Sequence, residues 1–442
     1  MRVVVIGGVA AGMSAASKLR RLRKDVEIIV FEKSNDLSYG ACGMPYYLSG
    51  AVQSIDDLIA KRKEDFEKES IQVHLNHEVV KVNPKTKVVH VKHDNRVDEI
   101  TYDRLIIATG ASAIRLPVQN NHLNGIQVLN SLEDARALKQ AIDDQRVQKI
   151  AVIGGGYIGL EVAENLREVG KDVLIIEREK SLLSLFDPMI SDDALKTCNR
   201  HHVEVRLEET VQAYEGDTHV SAVVTDQGRY EVDLVIEAVG IKPNTGFLDA
   251  SFKLSTNKAV IVDAYLKTNI DDVYAAGDCV AYRHQLYDGH SFIPLGTHAN
   301  KAGRIIAENI AGHTKDFLGV VGSSVIKVFD QTYAKTGLDA TICEVENIPY
   351  KEVRVKAADK ASYYQGAEAV EVKLLYDPQT LVMLGVQMLG KENVGQRINT
   401  AAVAIQQKMT TEDFSQLDLA YAPPYSPVYD PLIIAAMQAK KS

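Results

Sequence analysis

The stretch Arg2-Val3-Val4-Val5-Ile6-Gly7-Gly8-Val9-Ala10-Ala11-Gly12 decides the fold of this chain. Its apolar first half predicts a buried strand, its small residues predict a tight turn, and residues 13–22 have helical periodicity. A second predicted strand at residues 26–31 ends at Glu32, about 20 residues after the turn. Small residues let a pyrophosphate approach the backbone and the helix N-terminus, and the acid binds a ribose hydroxyl. The stretch therefore predicts a dinucleotide site formed by Gly7, Gly8, Ala10, Ala11, Gly12 and Glu32.

The same pattern occurs again from residue 147 onward. A predicted strand runs into Gly154-Gly155-Gly156-Tyr157-Ile158-Gly159, and a predicted helix at residues 160–169 and a strand ending at Glu177 follow. Two complete patterns imply two dinucleotides, a permanent flavin and a nicotinamide coenzyme that binds and leaves. Glu177 favours NADH over the 2′-phosphate of NADPH, although Arg178 beside it can soften this preference. The predicted contacts here are Gly154, Gly156, Tyr157, Ile158, Gly159 and Glu177.

Further predicted strands end in small turns at Thr109-Gly110, at Gly240 and at Gly277-Asp278. The last of these turns carries an acid with two interpretations. Asp278 accepts a hydrogen bond from a sugar-like hydroxyl chain, or it caps a helix-like stretch that follows it. Position alone does not separate these two interpretations.

From about residue 322 the composition changes to predicted strands followed by a helix at residues 393–407, which indicates an α+β terminal domain. Tyrosines in this region lie in polar, proline-rich surroundings. Tyrosine is favoured at interfaces because it has an apolar body and a polar tip. The cluster therefore indicates a docking surface or, alternatively, part of a functional site; its members are Tyr363, Tyr364, Tyr421, Tyr425 and Tyr429.

A lone cysteine, Cys42, lies among residues that shape the backbone. Gly40, Gly43 and Pro45 favour a turn into a short helix, whose unpaired N–H groups lower the thiol pKa and favour the reactive thiolate. The alternative is a buried, inert cysteine beside a loop. The other cysteines are far apart, without C-x-x-C or zinc-type spacing, so neither disulfides nor a metal site is expected; they are Cys198, Cys279 and Cys343.

Length and composition set limits on the class of protein. A chain of 442 residues predicts two to three domains, and 46% hydrophobic with 25% charged residues is typical of a soluble globular protein. No apolar run approaches the roughly 20 residues of a membrane span. The first residues enter a strand directly, without room for a signal peptide, so we expect a cytoplasmic protein. A net charge of −9 makes nucleic acid a poor candidate partner.

With these residues in view, the sequence resembles the pyridine nucleotide-disulfide oxidoreductases over essentially its whole length. Within that superfamily it most resembles the coenzyme A-disulfide reductases. The matching motifs are the two dinucleotide patterns, Ala108-Thr109-Gly110, Ala275-Ala276-Gly277-Asp278, and the pattern S-[FY]-x-x-C-x-x-P-Y from Ser38 to Tyr46. Glutathione reductase and its relatives carry two cysteines near the flavin, whereas this stretch has one.

The resemblance implies an α/β fold with two Rossmann-like domains, which bind FAD and NAD(P)H, and a C-terminal α+β dimerisation domain. The implied FAD-binding domain is discontinuous, at residues 1–112 and 243–321. The NAD(P)H-binding domain is expected at residues 113–242 and the dimerisation domain at residues 322–442. Further cofactor contacts are implied at Lys33, Val80, Thr109, Gly110, Gly240, Gly277, Asp278 and Ala299.

The resemblance also implies an activity: NAD(P)H reduces coenzyme A (CoA) disulfide to two CoA thiols, which maintains thiol redox balance. The reaction passes through a Cys42–S–S–CoA mixed disulfide, which is also the resting state. The implied enzyme is a homodimer in which Tyr363 and Tyr421 of one subunit complete the site of the other, where a phenol protonates or stabilises the leaving CoA thiolate.

Contacts to CoA are implied as well. Ser14, Lys18 and Arg21 fall on one face of the first predicted helix, where the resemblance places the CoA phosphates; a solvated charged face is the alternative. The sequence departs from the usual pattern at Ala41, where asparagine is common, at Asn300 in place of histidine, and at Tyr429 in place of lysine. The implied substrate contacts are Ser14, Lys18, Arg21, Ser38, Ala41 and Asn300.

Three other functions fit part of the sequence. An NADH oxidase or peroxidase shares the fold and cycles its cysteine through a sulfenic acid, although Pro45-Tyr46 and the segment around Tyr421 argue against it. An NAD(P)H polysulfide or persulfide reductase overlaps with the preferred activity. A flavoprotein that acts only as an NADH-dependent binding module would leave Cys42 structural.

Overall fold

In the computed structural model, which describes residues 1–440, the first dinucleotide pattern forms the predicted strand, turn, helix and strand. Its helix begins at Ala10, three residues earlier than the periodicity predicts, because the small residues of the turn already belong to the helix. The elements of this part are β1 (Arg2–Ile6), α1 (Ala10–Leu22), β2 (Glu27–Phe31), a 3₁₀ turn (Ala41–Gly43), α2 (Met44–Ser49), a second 3₁₀ turn (Ile55–Leu58), α3 (Lys63–Lys68), β3 (Gln72–His74), β4 (Glu78–Asn83), β5 (Val88–His93), β6 (Arg96–Thr101), β7 (Arg104–Ile107) and β8 (Ala111–Ala113).

The second pattern repeats the arrangement of the first. Its helix begins at Tyr157, again three residues earlier than predicted. The elements of this part are β9 (Ile126–Gln127), α4 (Leu132–Asp143), β10 (Lys149–Ile153), α5 (Tyr157–Glu168), β11 (Asp172–Ile176), α6 (Pro188–Arg200), β12 (Glu204–Arg206), β13 (Val211–Glu215), β14 (Ala222–Thr225), β15 (Arg229–Glu231), β16 (Leu234–Glu237) and β17 (Ile241–Pro243).

The chain then returns to the first sheet. The elements here are β18 (Val260–Ile261), β19 (Val273–Ala275), β20 (Val280–Arg283), β21 (His290–Ser291) and α7 (Gly296–Ile310). A strand, β20, follows Asp278. The interpretation of this acid as a helix cap is therefore wrong, because no helix begins at the turn.

The two patterns build two parallel sheets with the same local layout. The strand order is β19-β7-β1-β2-β3 in the first sheet and β12-β11-β10-β16-β9 in the second. In each sheet the motif strand, β1 or β10, lies between the strand that precedes the acid and the strand that ends at the small turn. Parallel strands place their carboxyl ends at one edge, which is where ligands bind in such folds. Each sheet thus presents one such edge.

The terminal region forms the predicted α+β unit. Its antiparallel sheet has the order β22-β23-β26-β25-β24, and helices α9 and α11 pack on it. The architecture confirms the predicted fold class. The elements are β22 (Ser324–Val328), β23 (Gln331–Gly337), α8 (Ala340–Val345), β24 (Lys351–Ala358), β25 (Ala369–Tyr376), β26 (Met383–Gly390), α9 (Val394–Gln406), α10 (Thr411–Ser415) and α11 (Pro431–Met437).

Apolar side chains pack beside each of the three sheets, and one continuous cluster joins residues of the second sheet to residues of the terminal sheet. The core of the first sheet includes Val4, Ile28 and Leu105, all fully buried.

Among the helices of residues 1–440, none combines the length and the apolar surface that a membrane crossing demands.

Helices α1 and α7 pack face to face over the first sheet and form one wall of the first dinucleotide edge. Gly303 of α7 makes this contact so close that a Cβ there would lie 2.2 Å from the carbonyl oxygen of Ala11. Ala11 belongs to the dinucleotide motif itself. The spacing of the two helices therefore affects the predicted dinucleotide site directly.

We expect Gly303→Ala to force α7 away from α1, to lower the free energy of unfolding by about 1–3 kcal/mol and to weaken flavin retention. Thermal unfolding and the flavin content of the purified protein measure the two effects. Gly296→Ala is the matched control, because Gly296 lies on the same helix and a Cβ there meets no atom within 4 Å. Equal stability of the two variants would contradict the close packing.

Candidate active site

Each motif turn begins with a glycine at the carboxyl end of the central strand. Gly7 has φ +103° and Gly154 has φ +107°, a conformation that glycine adopts without a steric penalty. A Cβ would lie 2.1 Å from the Ala108 carbonyl oxygen in the first turn and 2.5 Å from that of Ala238 in the second. Val9, at the position of the pattern's usual second glycine, keeps a negative φ of −103°, with a ψ of −122° that lies outside the helical and extended regions. Both cradles therefore fit a pyrophosphate.

An acid borders each cradle, as predicted. The Gly8 N–H donates to Oε2 of Glu32 at 2.7 Å, and the Gly155 N–H donates to Oε2 of Glu177 at 2.6 Å. Oε1 of Glu32 also accepts from the N–H and the hydroxyl of Ser34, and Oε1 of Glu177 accepts from the Glu179 N–H. Two carboxylate oxygens offer about four acceptor sites, so each acid keeps at least one for a ribose hydroxyl. Beside Glu177, Arg178 forms an ion pair of 3.1 Å with Glu179.

Small residues continue the first cradle between α1 and the turn before β20. A Cβ added at Gly277 would lie 3.2 Å from Cβ of Ala11 and 3.9 Å from Cβ of Ala299, so three predicted cofactor residues converge. Thr109, which follows the neighbouring strand β7, donates to the Asn244 carbonyl oxygen at 2.7 Å. Small residues thus meet the first cradle on this side, which fits the close approach of a dinucleotide such as FAD. The other predicted contacts lie on neighbouring turns and strands and stay predictions: Lys33, Val80, Gly110, Gly240 and Asp278.

The segment that carries Cys42 is attached directly to the first cradle. The Ser38 N–H donates to the Gly8 carbonyl oxygen at 2.8 Å, and Ser38 accepts from the Ala60 N–H at 2.8 Å. Gly40 in turn donates to the Leu58 carbonyl oxygen at 2.9 Å. The backbone therefore fixes the distance between the cysteine and the dinucleotide edge.

Cys42 is the exposed cysteine of this chain, whereas Cys198, Cys279 and Cys343 are fully buried, and all four are free thiols. It lies in the 3₁₀ turn that begins at Ala41 and leads into α2. Its position excludes the interpretation of a buried cysteine beside a loop. Within residues 1–440, no group of three or more metal-ligating side chains comes together.

The predicted lowering of the Cys42 pKa is wrong. Burial by the surrounding protein raises the pKa of this thiol, and the charges of Glu161 and Asp278 raise it further. The sulfur is accessible, yet the protein around it removes enough water to disfavour the thiolate. The short helix contributes too little to compensate, because acids from two distant elements face the thiol.

Helix α5 connects the second cradle to the cysteine. Ser49, at the end of α2, donates to Oδ1 of Asn165 on α5 at 2.5 Å. One turn earlier on α5, burial and the nearby Glu164 raise the pKa of Glu161 to about 7. Tyr157, the first residue of α5, shares a 2.7 Å hydrogen bond with Ser324 of the terminal domain.

The predicted phosphate-binding face lies in the groove between α1 and α7. Ser14 donates to Oδ1 of Asn300 at 2.6 Å, so these two predicted residues are neighbours. Lys18 forms a 2.7 Å ion pair with Glu308, while Arg21 is exposed at the end of α1. The alternative of a merely solvated charged face does not describe Lys18. A phosphate at this face has to compete with Glu308 for the ammonium group.

The predicted catalytic tyrosines meet each other. The hydroxyls of Tyr363 and Tyr421 lie 3.0 Å apart, although the residues are 58 positions apart in sequence. Both rings are exposed, as are Tyr364, Tyr425 and Tyr429. The hydrogen bond to Tyr363 raises the pKa of the Tyr421 hydroxyl.

Sequence reasoning missed Glu161 and Glu308. Glu161 follows the second glycine motif by two positions, so the motif itself could have drawn attention to it. Glu308 gave no signal, because it lies 290 residues from its partner and only the packing of α7 on α1 joins them.

Two family models match this sequence. The pyridine nucleotide-disulphide oxidoreductase model matches residues 1–304, and the dimerisation-domain model of the same family matches residues 323–432. Together they cover most of the chain.

Full-length relatives carry three different activities in their names. An NADH oxidase of Methanocaldococcus jannaschii is 34% identical and covers 100% of this chain and 99% of its own. An NAD(P)H coenzyme A polysulfide/persulfide reductase of Pyrococcus horikoshii is 37% identical, and the match covers 99% of this chain and 98% of that protein. A coenzyme A disulfide reductase of Staphylococcus aureus is 33% identical, and the match covers 99% of this chain and 100% of that protein. The solved NAD-dependent persulfide reductase of A. fulgidus is 34% identical over 99% of this chain and 82% of its own, with a TM-score of 0.95.

In the reduced protein, whose Cys42 is a free thiol, we expect Glu161→Gln to accelerate alkylation of Cys42 by iodoacetamide at pH 8, because removing a nearby negative charge lowers the thiol pKa. The gain should shrink toward pH 6, where Glu161, with its pKa of about 7, is already mostly protonated. Intact mass resolves the adduct, and the buried cysteines keep the reaction selective.

The control is Glu133→Gln, which removes an acid from the first turn of α4. An acceleration that is the same at both pH values, or the same in the control, would contradict the role of Glu161.

Proposed function

Because the chain belongs to the pyridine nucleotide-disulphide oxidoreductase family and is therefore a flavin-dependent NAD(P)H oxidoreductase, we propose that its substrate is CoA disulfide. The proposed reaction converts one CoA disulfide, one NAD(P)H and one proton into two CoA thiols and one NAD(P)+. The proposal is carried by one observation: the exposed cysteine stands alone, and the other three are fully buried. A second sulfur for disulfide chemistry then has to come from the substrate.

The first step uses only this chain's own thiol. The Cys42 thiolate attacks one sulfur of CoA disulfide, the substrate S–S bond breaks, and a Cys42–S–S–CoA mixed disulfide forms while one CoA thiolate leaves. A tyrosine hydroxyl gives that thiolate its proton. Two electrons and one proton then release the second CoA thiol and return the Cys42 thiolate. The mixed disulfide is the proposed resting state.

The two cradles hold the proposed electron carriers. Gly7, Gly8 and Glu32 would bind FAD, and Gly154, Gly156 and Glu177 would bind the nicotinamide coenzyme. FAD, when bound, takes an electron pair from NAD(P)H and passes it to sulfur. We propose NADH as the preferred coenzyme, since Glu177 repels a 2′-phosphate and the ion pair with Glu179 occupies Arg178.

The tyrosines support a homodimer. Tyr363, Tyr421 and Tyr425 expose 75%, 46% and 73% of their surface, far more than a large aromatic ring usually exposes in a finished assembly. We propose that a second copy covers them and that the tyrosine pair of each subunit reaches the Cys42 site of the other. The proposed dimer interface consists largely of residues beyond 322.

Two other acceptors follow from the relatives. An NADH oxidase or peroxidase would convert the Cys42 thiol to a sulfenic acid, and a persulfide reductase would accept CoA persulfide at the same thiol. The free exposed thiol fits all three substrates. The groove with Ser14, Lys18 and Asn300 favours an acceptor that carries CoA over oxygen or peroxide, because neither of these has a phosphate to bind.

Cys42→Ser should abolish NAD(P)H-dependent reduction of CoA disulfide while the flavin is still bound and still reduced by NADH, because the thiol acts only in the sulfur half of the cycle. Steady-state turnover and flavin absorbance under anaerobic conditions separate the two halves. Intact mass of the unreduced wild-type protein should show one CoA adduct, absent in the variant.

Full turnover by Cys42→Ser would contradict the proposed catalytic role of Cys42 and indicate that the cysteine is structural. A wild-type protein that consumes oxygen rapidly with NADH, ignores CoA disulfide and carries a sulfenic acid would establish the oxidase instead. Faster turnover with CoA persulfide than with CoA disulfide would establish the persulfide reductase.

Glu308→Gln should lower KM for CoA disulfide about two- to fivefold, because the ammonium group of Lys18 then no longer pairs with an acid. Lys18→Glu should raise KM for CoA disulfide and leave KM for NADH unchanged. Glu204→Gln is the control, since it removes an acid from an ion pair with Arg206 in the second sheet. An unchanged KM for CoA disulfide in both test variants would contradict binding of the CoA phosphates in this groove.

A further inference from the structure

The tyrosine pair is held on two irregular segments that lie far apart in sequence. The first tyrosine segment is residues 359–368 and the second is residues 420–430. Two exposed phenols joined by one 3.0 Å hydrogen bond cannot hold themselves in place, because a surface hydrogen bond stabilises a fixed geometry by very little. Their separation has to be set by contacts underneath them.

Arg397 on α9 makes those contacts. Its Nε donates to Oδ2 of Asp430 at 2.6 Å, and its Nη2 donates to the carbonyl oxygen of Asp359 at 2.6 Å. Arg397 is 7% exposed and Asp359 and Asp430 are buried with it. One guanidinium group therefore joins the start of the first tyrosine segment to the end of the second.

Further hydrogen bonds connect these anchored positions to the tyrosines. Asp359 closes the first tyrosine segment by accepting from the Glu368 N–H at 2.9 Å. Ala361 donates to the Pro423 carbonyl oxygen at 3.2 Å and so ties the two segments together two residues from each tyrosine. A shift of Arg397 therefore moves both hydroxyls.

Lysine cannot replace this arginine. The guanidinium is planar and presents donors in two fixed directions, which match a carboxylate on one side and a carbonyl on the other. An ammonium group is a single point and cannot meet both acceptors with the same geometry. The charge is equally necessary, because Asp430 is a buried carboxylate.

We propose that Arg397 is the positioning residue of the tyrosine pair: it sets the 3.0 Å separation of the hydroxyls and thereby the rate at which the leaving CoA thiolate is protonated. The chemistry in this proposal rests on the proposed function. Arg397 is buried and its hydrogen bonds go to Asp359 and Asp430, so in this proposal its effect passes through Tyr363 and Tyr421.

Arg397→Lys should slow turnover of CoA disulfide by at least about tenfold, because a small misplacement of a proton donor is enough for such a loss. The rate at which NADH reduces the flavin should not change. Asp430→Asn is a milder second variant, since asparagine still caps α11 but no longer pairs with the guanidinium charge. It should slow turnover by a smaller factor in the folded dimer.

The decisive measurement repeats Arg397→Lys in a Tyr363→Phe/Tyr421→Phe background. If Arg397 acts through the tyrosines, the added substitution has no further effect on turnover. The same loss in both backgrounds would overturn the proposal, as would wild-type turnover in both Arg397→Lys and Asp430→Asn. Lys373→Arg is the matched control, a buried cation of the same domain that pairs with Asp187 and Glu352, and it should keep wild-type turnover.

Failure of the proposed function has a different signature. A wild-type enzyme that reduces CoA persulfide, and not CoA disulfide, overturns the substrate assignment alone, and the same cycle of variants run with CoA persulfide decides the role of Arg397 by the same criterion. A wild-type enzyme that reduces only oxygen overturns both proposals, because no CoA thiolate then leaves.

Discussion

At the start of α1 the backbone of Gly12 packs so closely on Gly7 that a Cβ would lie 1.9 Å from the Gly7 carbonyl oxygen. The same contact occurs at the start of α5, where a Cβ on Gly159 would lie 2.0 Å from the Gly154 carbonyl oxygen. Only glycine permits this approach, which brings the N-terminus of each helix to the edge of its sheet. An anion bound there meets backbone N–H groups and the positive end of a helix. The functional groups of both sheets are arranged around these two contacts.

Cys42 connects the two halves because its segment is fixed from both sides. Ser38 is hydrogen-bonded to the first cradle through Gly8, and Ser49 is hydrogen-bonded to Asn165 on the helix of the second cradle. Only a few residues separate these anchors from the sulfur. The thiol is therefore placed between the two dinucleotide edges by short, local connections, and its position does not depend on the loops that surround it.

Local features of the site were predictable from the sequence, and tertiary ones were not. The cradles could be predicted because glycines, helix start and ribose acid all fall within about 25 residues of one another, as the dinucleotide pattern requires. The sign of the Cys42 pKa shift could not, since Glu161 and Asp278 reach the thiol from α5 and from the turn before β20. Asp278 was ambiguous because a turn that precedes a strand resembles one that precedes a helix. The pairing of Lys18 with Glu308 required the packing of two helices.

The acidic surroundings of Cys42 have a consequence for the proposed cycle. In a mixed disulfide, the sulfur with the lower thiol pKa leaves more easily, and a thiolate with a higher pKa is the stronger nucleophile. Burial, Glu161 and Asp278 raise the pKa of the Cys42 thiol, so in a Cys42–S–S–CoA bond Cys42 is a poorer leaving group than an unperturbed cysteine would be. A proton donor that faces the CoA sulfur favours the same direction. In the proposed cycle the acids near Cys42 and the tyrosine pair therefore act in the same direction: the acids make Cys42 a poorer leaving group, and a phenol that donates its proton makes CoA a better one.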